Sequence, residues 1–403
     1  MTQSTSDGEP DASTPVEAGV DDALPEAAVD GGPTDARAFA PRTVECEAGP
    51  CVRDLSESGD AFCALVDPGR VACWGPNNVG QLGRGAEAGT APSGQPTLVQ
   101  GVEGVTSLGR SCAILTDGGV RCWGRGDFLQ EDEDWHSPSP VVLPFPPTKR
   151  IFSNAPRLCG LLADGQILCS GPLVSFGLLP DGAIGPFGAR EPEIVSLPSG
   201  AEVVDLAVGT SGFALRADGV ALSWGSWTSL GRASSLPIDP EPRAIALPQV
   251  TNIDATGGDV CAVSAGRLYC WGQPQHYHGQ IPAQPTPVPV GGIPELVAQV
   301  SIAERFVHTE PLRGCAVGRS GDVYCWGPND VGQAGDGTRS FALLPVKAKG
   351  LGGPAVLVRT ARTATCALLQ SGSVECWGEN SEGALGRGAL GLSDPTPAPV
   401  ALP

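Results

Sequence analysis

CALVDPGRVACWG occupies Cys63–Gly75, and the same phrase returns six more times. It reads CAILTDGGVRCWG from Cys112, CGLLADGQILCSG from Cys159, FALRADGVALSWG from Phe213, CAVSAGRLYCWG from Cys261, CAVGRSGDVYCWG from Cys315 and CALLQSGSVECWG from Cys366. The second anchors (Cys73, Cys122, Cys169, Ser223, Cys270, Cys325, Cys376) are spaced 49, 47, 54, 47, 55 and 51 residues apart. Internal repetition at a fixed long period decides the architecture before any single residue is weighed.

Each copy reads as a β-hairpin: an apolar strand, a turn containing Gly, and a second apolar strand ending near Trp-Gly. Cys63 and Cys73 lie symmetrically about Pro68, which fits an odd-numbered loop such as Asp67-Pro68-Gly69. In the fifth copy Cys261 and Cys270 are one residue closer, and the centre between Ala265 and Gly266 suits a two-residue turn. Both versions oppose the cysteines directly, at about 4.5–5.5 Å between Cα atoms, where a disulfide fits. Alternation puts Leu65, Val71 and both cysteines on one face and Ala64, Ala72 and Trp74 on the other. Both faces are apolar, so each hairpin needs cover on both sides. Radial stacking of all-β repeats about 50 residues long supplies that cover, and the expected fold is an all-β, seven-bladed β-propeller.

Three copies continue distinctively, as CWGPNNVGQLGRG (Cys73–Gly85), CWGPNDVGQAGDG (Cys325–Gly337) and CWGENSEGALGRG (Cys376–Gly388). These segments resemble the repeat of the regulator-of-chromosome-condensation family, and the resemblance covers about residues 50–403. It implies a seven-bladed propeller. Copies two to five depart from the pattern: Ser170 stands where Trp is expected, and GRGDFLQEDED follows Trp123.

Composition narrows the function classes. Gly (56) and Pro (39) in 403 residues rule out long helices, while 41% hydrophobic residues and eight Trp argue for a real core. The bias toward Arg, Ala, Gly and Pro fits a GC-rich bacterial coding sequence. No apolar run reaches the roughly 18 residues of a spanning helix, so no transmembrane segment is expected. A net charge of −19 disfavours nucleic acid and anionic membrane surfaces as partners. Residues 1–45 carry ten acids against Arg37 and Arg42, with Phe39 the only aromatic, and read as a disordered acidic tail or linker. They have neither the basic start nor the apolar stretch of a signal peptide. Residues 46–403 form the propeller. The chain ends in Ala398-Pro399-Val400-Ala401-Leu402-Pro403, a Pro/Val element like Ile194–Pro198 and Ala244–Pro248, and the first copy has none upstream. Residues 398–403 are therefore expected to complete the first blade and close the ring.

Twelve of the fourteen cysteines form six hairpin pairs, 63–73, 112–122, 159–169, 261–270, 315–325 and 366–376, and Cys46 and Cys51 remain in CEAGPC. The fourth copy has lost both partners together, as Phe213 and Ser223, which a covalent bond explains because an orphan thiol is a liability. Buried free thiols are the rival reading. Zinc fits less well, since two opposed thiolates make half a site and no Cys-x-x-Cys occurs. Seven disulfides imply an oxidising compartment, secreted, periplasmic or at the cell surface, and hence export, with no signal sequence visible in this chain.

Catalytic machinery is hard to find. The histidines are His136, His276, His278 and His308, and the chain has no Gly-x-Ser-x-Gly elbow, His-Glu-x-x-His helix or phosphate-cradling loop. His276-Tyr277-His278 reads as a polar loop with an aromatic contact in preference to a metal site. Glu131-Asp132-Glu133-Asp134 lacks the Asp-x-Asp-x-Asp-Gly pattern of calcium loops and reads as solvated. We therefore expect no catalytic residues, no cofactor and no metal. The residues of interest are Phe128, Trp135, His136, Trp227, His276, Tyr277 and His278, in the loops that follow Trp-Gly in copies two, four and five. Aromatics beside Arg or His are typical binding anchors; packing over irregular loops is the bland alternative.

These observations lead to a monomeric, exported, non-enzymatic propeller that recognises a partner protein through divergent loops on one face. The resemblance implies a range of roles. The eukaryotic founder exchanges nucleotide on a small GTPase and binds chromatin, and secreted bacterial relatives include inhibitors that cover β-lactamase active sites. The acidic charge and disulfides are nearer the second kind. A carbohydrate-binding or polysaccharide-acting surface propeller is the alternative, its loop aromatics stacking on sugars, although no carboxylate pair is evident for hydrolysis. GTPase exchange fits least, because hairpin disulfides would not persist in a reducing cytosol.

Overall fold

A computed structural model describes residues 42–46, 49–126, 136–154, 157–170, 193–272, 275–276, 280–281, 284–305 and 310–403. Seven four-stranded antiparallel sheets follow one another, at 52–98, 105–143, 148–195, 203–244, 250–289, 297–347 and 355–399. Strand order within each blade is chain order, and the first strands of neighbouring blades touch around the whole ring, including those of blades seven and one. The fold is a seven-bladed propeller.

The repeated phrase forms the second and third strands. In blade one these are Ala61–Val66 and Arg70–Gly75, paired Cys63 to Cys73 and Leu65 to Val71. In blade five the two-residue turn has positive φ at both centres, 47° at Ala265 and 72° at Gly266, the backbone twist a tight hairpin requires. All six hairpin disulfides are present with Cα atoms 4.0–4.1 Å apart, nearer than expected, and Cys46 bonds Cys51.

Alternation assigns the faces as read. Cys63, Leu65, Val71 and Cys73 bury against Val105, Leu108 and Trp123 of blade two. On the opposite face, Phe62, Ala64, Ala72 and Trp74 meet Cys366, Leu368 and Cys376 of blade seven. Five of the seven seams join a cysteine face to a tryptophan face; the seam between blades two and three has Ile151 and Leu158 where Trp stands elsewhere, and the seam between blades four and five has no cysteine. In blade four, Phe213 faces Ser223 across the hairpin in place of a disulfide, and its ring meets Trp271 edge-on at 6.0 Å between centroids. One aromatic ring fills the volume that two sulfurs fill elsewhere.

The expected closure by residues 398–403 is corrected. Asp394–Pro399 pairs with the third strand of blade seven, Cys376 opposite Ala398, while blade one is complete within 52–98. The Pro/Val element ends a blade and does not begin one. Such strands lie at the outer edge, and Gln284–Pro289 (QPTPVP) and Asp394–Pro399 (DPTPAP) place proline there, where a missing N–H breaks no ladder and hinders edge pairing. The ring closes by contacts across the seam: Trp74 Nε1 donates to the Ala384 carbonyl, Arg359 Nε to the Leu55 carbonyl, and Thr363 N to Asp60 Oδ1. Residues 42–45, assigned to the tail by composition, also lie on the ring. Glu45 N donates to the Gln370 carbonyl and Arg42 to Gln370 Oε1.

Val400 is buried in the seam with Trp74, and Gln95 Nε2 donates to the Ala401 carbonyl. Deleting 394–403 should therefore strip an outer strand, uncover that seam and cost several kcal/mol, measured by urea unfolding. An unchanged midpoint would refute this account of closure.

Candidate protein-binding face

In an antiparallel four-stranded blade, the turn between the first two strands and the loop between the last two emerge on the same side. Among the described residues, that side carries the segments following Trp-Gly in blades one, four, six and seven. In the consensus copies these segments are clips for the next blade. Asn77 Oδ1 accepts from Leu82 N, and Asn77 Nδ2 donates to the Gly89 carbonyl. Asn329 repeats this with Ala334 and Ser340, and Asn380 with Leu385 and Ala389. Each loop then offers a carbonyl to its neighbour's indole: Gln81 to Trp123 (2.9 Å), Gln333 to Trp377 (2.9 Å) and Ala384 to Trp74 (3.0 Å). Gly335 shows why glycine follows, with φ at +76° and a Cβ there only 2.6 Å from Trp377 Nε1.

Blade four keeps the clip while abandoning the consensus. The Ser229 carbonyl accepts from Trp271 Nε1 at 2.8 Å, so the seam is held. Asn is replaced by a hydroxyl cluster in which Ser229 Oγ bonds Ser211 Oγ (2.8 Å) and Thr210 Oγ1 (2.9 Å). Arg232 bonds Asp239 at 2.7 Å and also the Ser223 and Glu241 carbonyls, with Ser234 Oγ completing the carboxylate. Burial alone would raise the Asp239 pKa; the bonds from Arg232, Glu241 N and Ser234 overcome this and hold it below the usual carboxylate range. Trp227 N donates to the Pro237 carbonyl, closing the arch. From this rigid base Trp227 stands 44% exposed and Leu236 49% exposed.

Trp227 is thus where the sequence placed it, on a loop and turned outward. His136 opens the fourth strand of blade two, half-buried and opposite Arg125. His276 sits in a two-residue strand, Gln275–His276, paired with Gln280–Ile281. Phe128, Trp135, Tyr277 and His278 lie outside the described residues. Sequence reasoning missed Leu236, and also Leu390 and Leu392, which are 51% and 93% exposed on the far end of blade seven's loop. Exposed apolar surface is therefore not confined to the divergent copies. A lone Leu beyond a consensus loop carries no periodic signal, and only its exposure reveals it.

A family model for the regulator of chromosome condensation repeat matches residues 320–368. Among curated proteins, the human E3 ubiquitin-protein ligase HERC2 is 28% identical over 335 residues, covering 75% of this chain. The match spans 6% of the ligase's own length. The ultraviolet-B receptor UVR8 of Arabidopsis thaliana is 25% identical over 367 residues, 83% of this chain and 78% of the receptor. Among solved structures, yeast RCC1 (Prp20), solved with Kap60, superposes with a TM-score of 0.65 at 18% identity, over 92% of this chain and 87% of that one. Human WBSCR16 gives 0.60 at 17% identity over 78% and 85%. Those identities speak for the fold alone. Seven hairpin phrases, seven blades closed into a ring and the matched segment together make this chain a seven-bladed propeller that carries a regulator of chromosome condensation repeat at residues 320–368.

Proposed function

We propose that this protein is a monomeric, exported recognition propeller that binds a partner protein on the face carrying the loops after Trp-Gly, without catalysing a reaction. The observation that carries the reading is the blade-four arch, whose buried Arg232–Asp239 pair and hydroxyl cluster fix a loop that holds Trp227 in water. A large aromatic kept exposed by a rigid support costs solvation unless a partner covers it, and preorganisation lowers the entropy cost of binding. Protein recognition is in keeping with the relatives: yeast Prp20 has binding properties toward Gsp1p and histones, and UVR8 is an ultraviolet-B receptor. Seven disulfides support an oxidising compartment.

The test is a photo-crosslinker at position 227 and, as control, at Arg70, on the opposite face, in envelope or culture extract. Position 227 should capture one defined protein and position 70 should not. Trp227→Ala should weaken that complex by about 2 kcal/mol or more. Melting should stay unchanged, because this side chain is half in water. Loss of stability with intact affinity would make Trp227 a loop core. Retention on a glycan array with no crosslinked protein would favour the carbohydrate alternative.

A further inference from the structure

The first strands of all seven blades enclose a cavity of about 290 Å³ on the propeller axis. Three arginines and four acids line it: Arg110, Arg150, Arg359, Asp54, Glu57, Asp205 and Asp254. Most are structural ties between blades. Asp54 accepts from Leu55 N and from Leu108 N of the next blade. Asp254 does the same with Ala255 N and Ile302 N. Glu57 pairs with Arg110 at 2.5 Å. After these are accounted for, the cavity has a surplus of donors. A guanidinium carries five N–H groups. Arg359 gives only its Nε to the Leu55 carbonyl, and Arg150 makes no hydrogen bond or ion pair among the described residues. Asp205 accepts from Leu206 N through Oδ1, and its second oxygen has no partner among the described residues.

We propose that the axial cavity binds a small oxyanion, held by the free guanidinium N–H groups of Arg150 and Arg359 and admitted when Asp205 is neutral. The ligand must be rich in acceptors and poor in donors, which is the chemistry of sulfate, phosphate or a carboxylate, and planar guanidinium forks match such oxygens two at a time. The cavity has room for such an ion with several waters, each occupying about 30 Å³. Asp205 sets the pH dependence. Burial raises its pKa to about 6, against the opposing pull of Arg150 and Arg359, while Asp254 adds to the rise. Those three groups face it from blades three, seven and five; Asp54, Glu57 and Arg110 complete the charged lining from blades one and two, and blade six contributes only the neutral Gln299 and Ser301. Below pH 6 the carboxyl is protonated, its repulsion of an anion is gone, and it becomes a further donor.

Sulfate is the probe, because its charge does not change over the range used. Calorimetry with sodium sulfate at constant ionic strength should show one site per chain, roughly tenfold tighter at pH 5.0 than at 7.5. Arg150→Gln should lose roughly tenfold or more in affinity with unchanged melting, since that exposed side chain supports no blade contact. Asp205→Asn should bind at pH 7.5 as tightly as wild type does at pH 5.0 and lose the pH dependence. Absence of stoichiometric binding at either pH overturns the proposal, as does an Arg150→Gln protein that binds like wild type. A pH dependence that survives Asp205→Asn removes Asp205 from it.

Discussion

Intact-mass measurement should show the chain heavier by fourteen hydrogens after reduction, with no thiol labelled in the denatured, unreduced protein. The consequence for stability is the largest expected of any perturbation here. Each hairpin bridge spans a sequence separation of 9 or 10 residues, and closing so short a loop in the unfolded chain contributes roughly 2–3 kcal/mol. Six such terms, even if partly overlapping, are comparable with the whole stability of an ordinary domain, so the reduced protein should not refold to the ring. Paired replacement of Cys63 and Cys73 by Ala should cost about 2–3 kcal/mol plus a cavity penalty beside Trp123. The Cys46–Cys51 bridge stands apart. Its sequence separation is 5, Cys46 is half-buried, and it shapes the turn that lays residues 42–46 onto blade seven, so it should reduce first. Reduction that leaves the melting temperature unchanged would remove the bridges from the account of stability.

The second large effect lies at the seam between blades five and six. Asp259 and Arg305 form an ion pair with side chains only 4% and 6% exposed, and Arg305 also donates to the Glu310 carbonyl at 2.9 Å. Removing one member of a buried pair leaves the other charged and out of water, so Asp259→Ala should lose about 3–5 kcal/mol in urea unfolding. Asp259→Asn, which keeps an acceptor but no charge, should lose less. Replacing both together, as Asp259→Leu with Arg305→Met, should recover much of the loss, because the cost lies in the orphaned charge. An Asp259→Ala protein within 1 kcal/mol of wild type would mean that water reaches Arg305. Arg313 poses a related case, with no carboxylate in ion-pair contact among the described residues. It is buried, donates to the Gln333 carbonyl and to Ala361 and Thr365 of blade seven, and burial lowers its pKa to about 9.

What the sequence determined by itself is everything carried by short separations. The cysteines at 63 and 73 face each other because a hairpin with a sequence separation of 10 and period-two alternation leaves them no other place. The same alternation sorts Leu65 from Trp74 and requires cover on both faces, and seven copies of that requirement make a ring. Paired loss at Phe213 and Ser223 was legible for the same reason, both being on one hairpin. Only the tertiary structure decided what depends on distant partners. Whether 394–399 joins blade one or blade seven turns on which edge is already occupied, and blade one's own Ser93–Leu98 fills it. The seam itself rests on Arg359 reaching Leu55, 304 residues away in the chain, which no local pattern specifies. Trp227 is exposed because Ser229 must serve Trp271 of the next blade and Arg232 must reach Asp239, constraints that exist only once the blades are assembled. The axial cavity follows the same rule, since its lining comes from all seven first strands, and a residue's role there is set by which neighbours leave it unpaired.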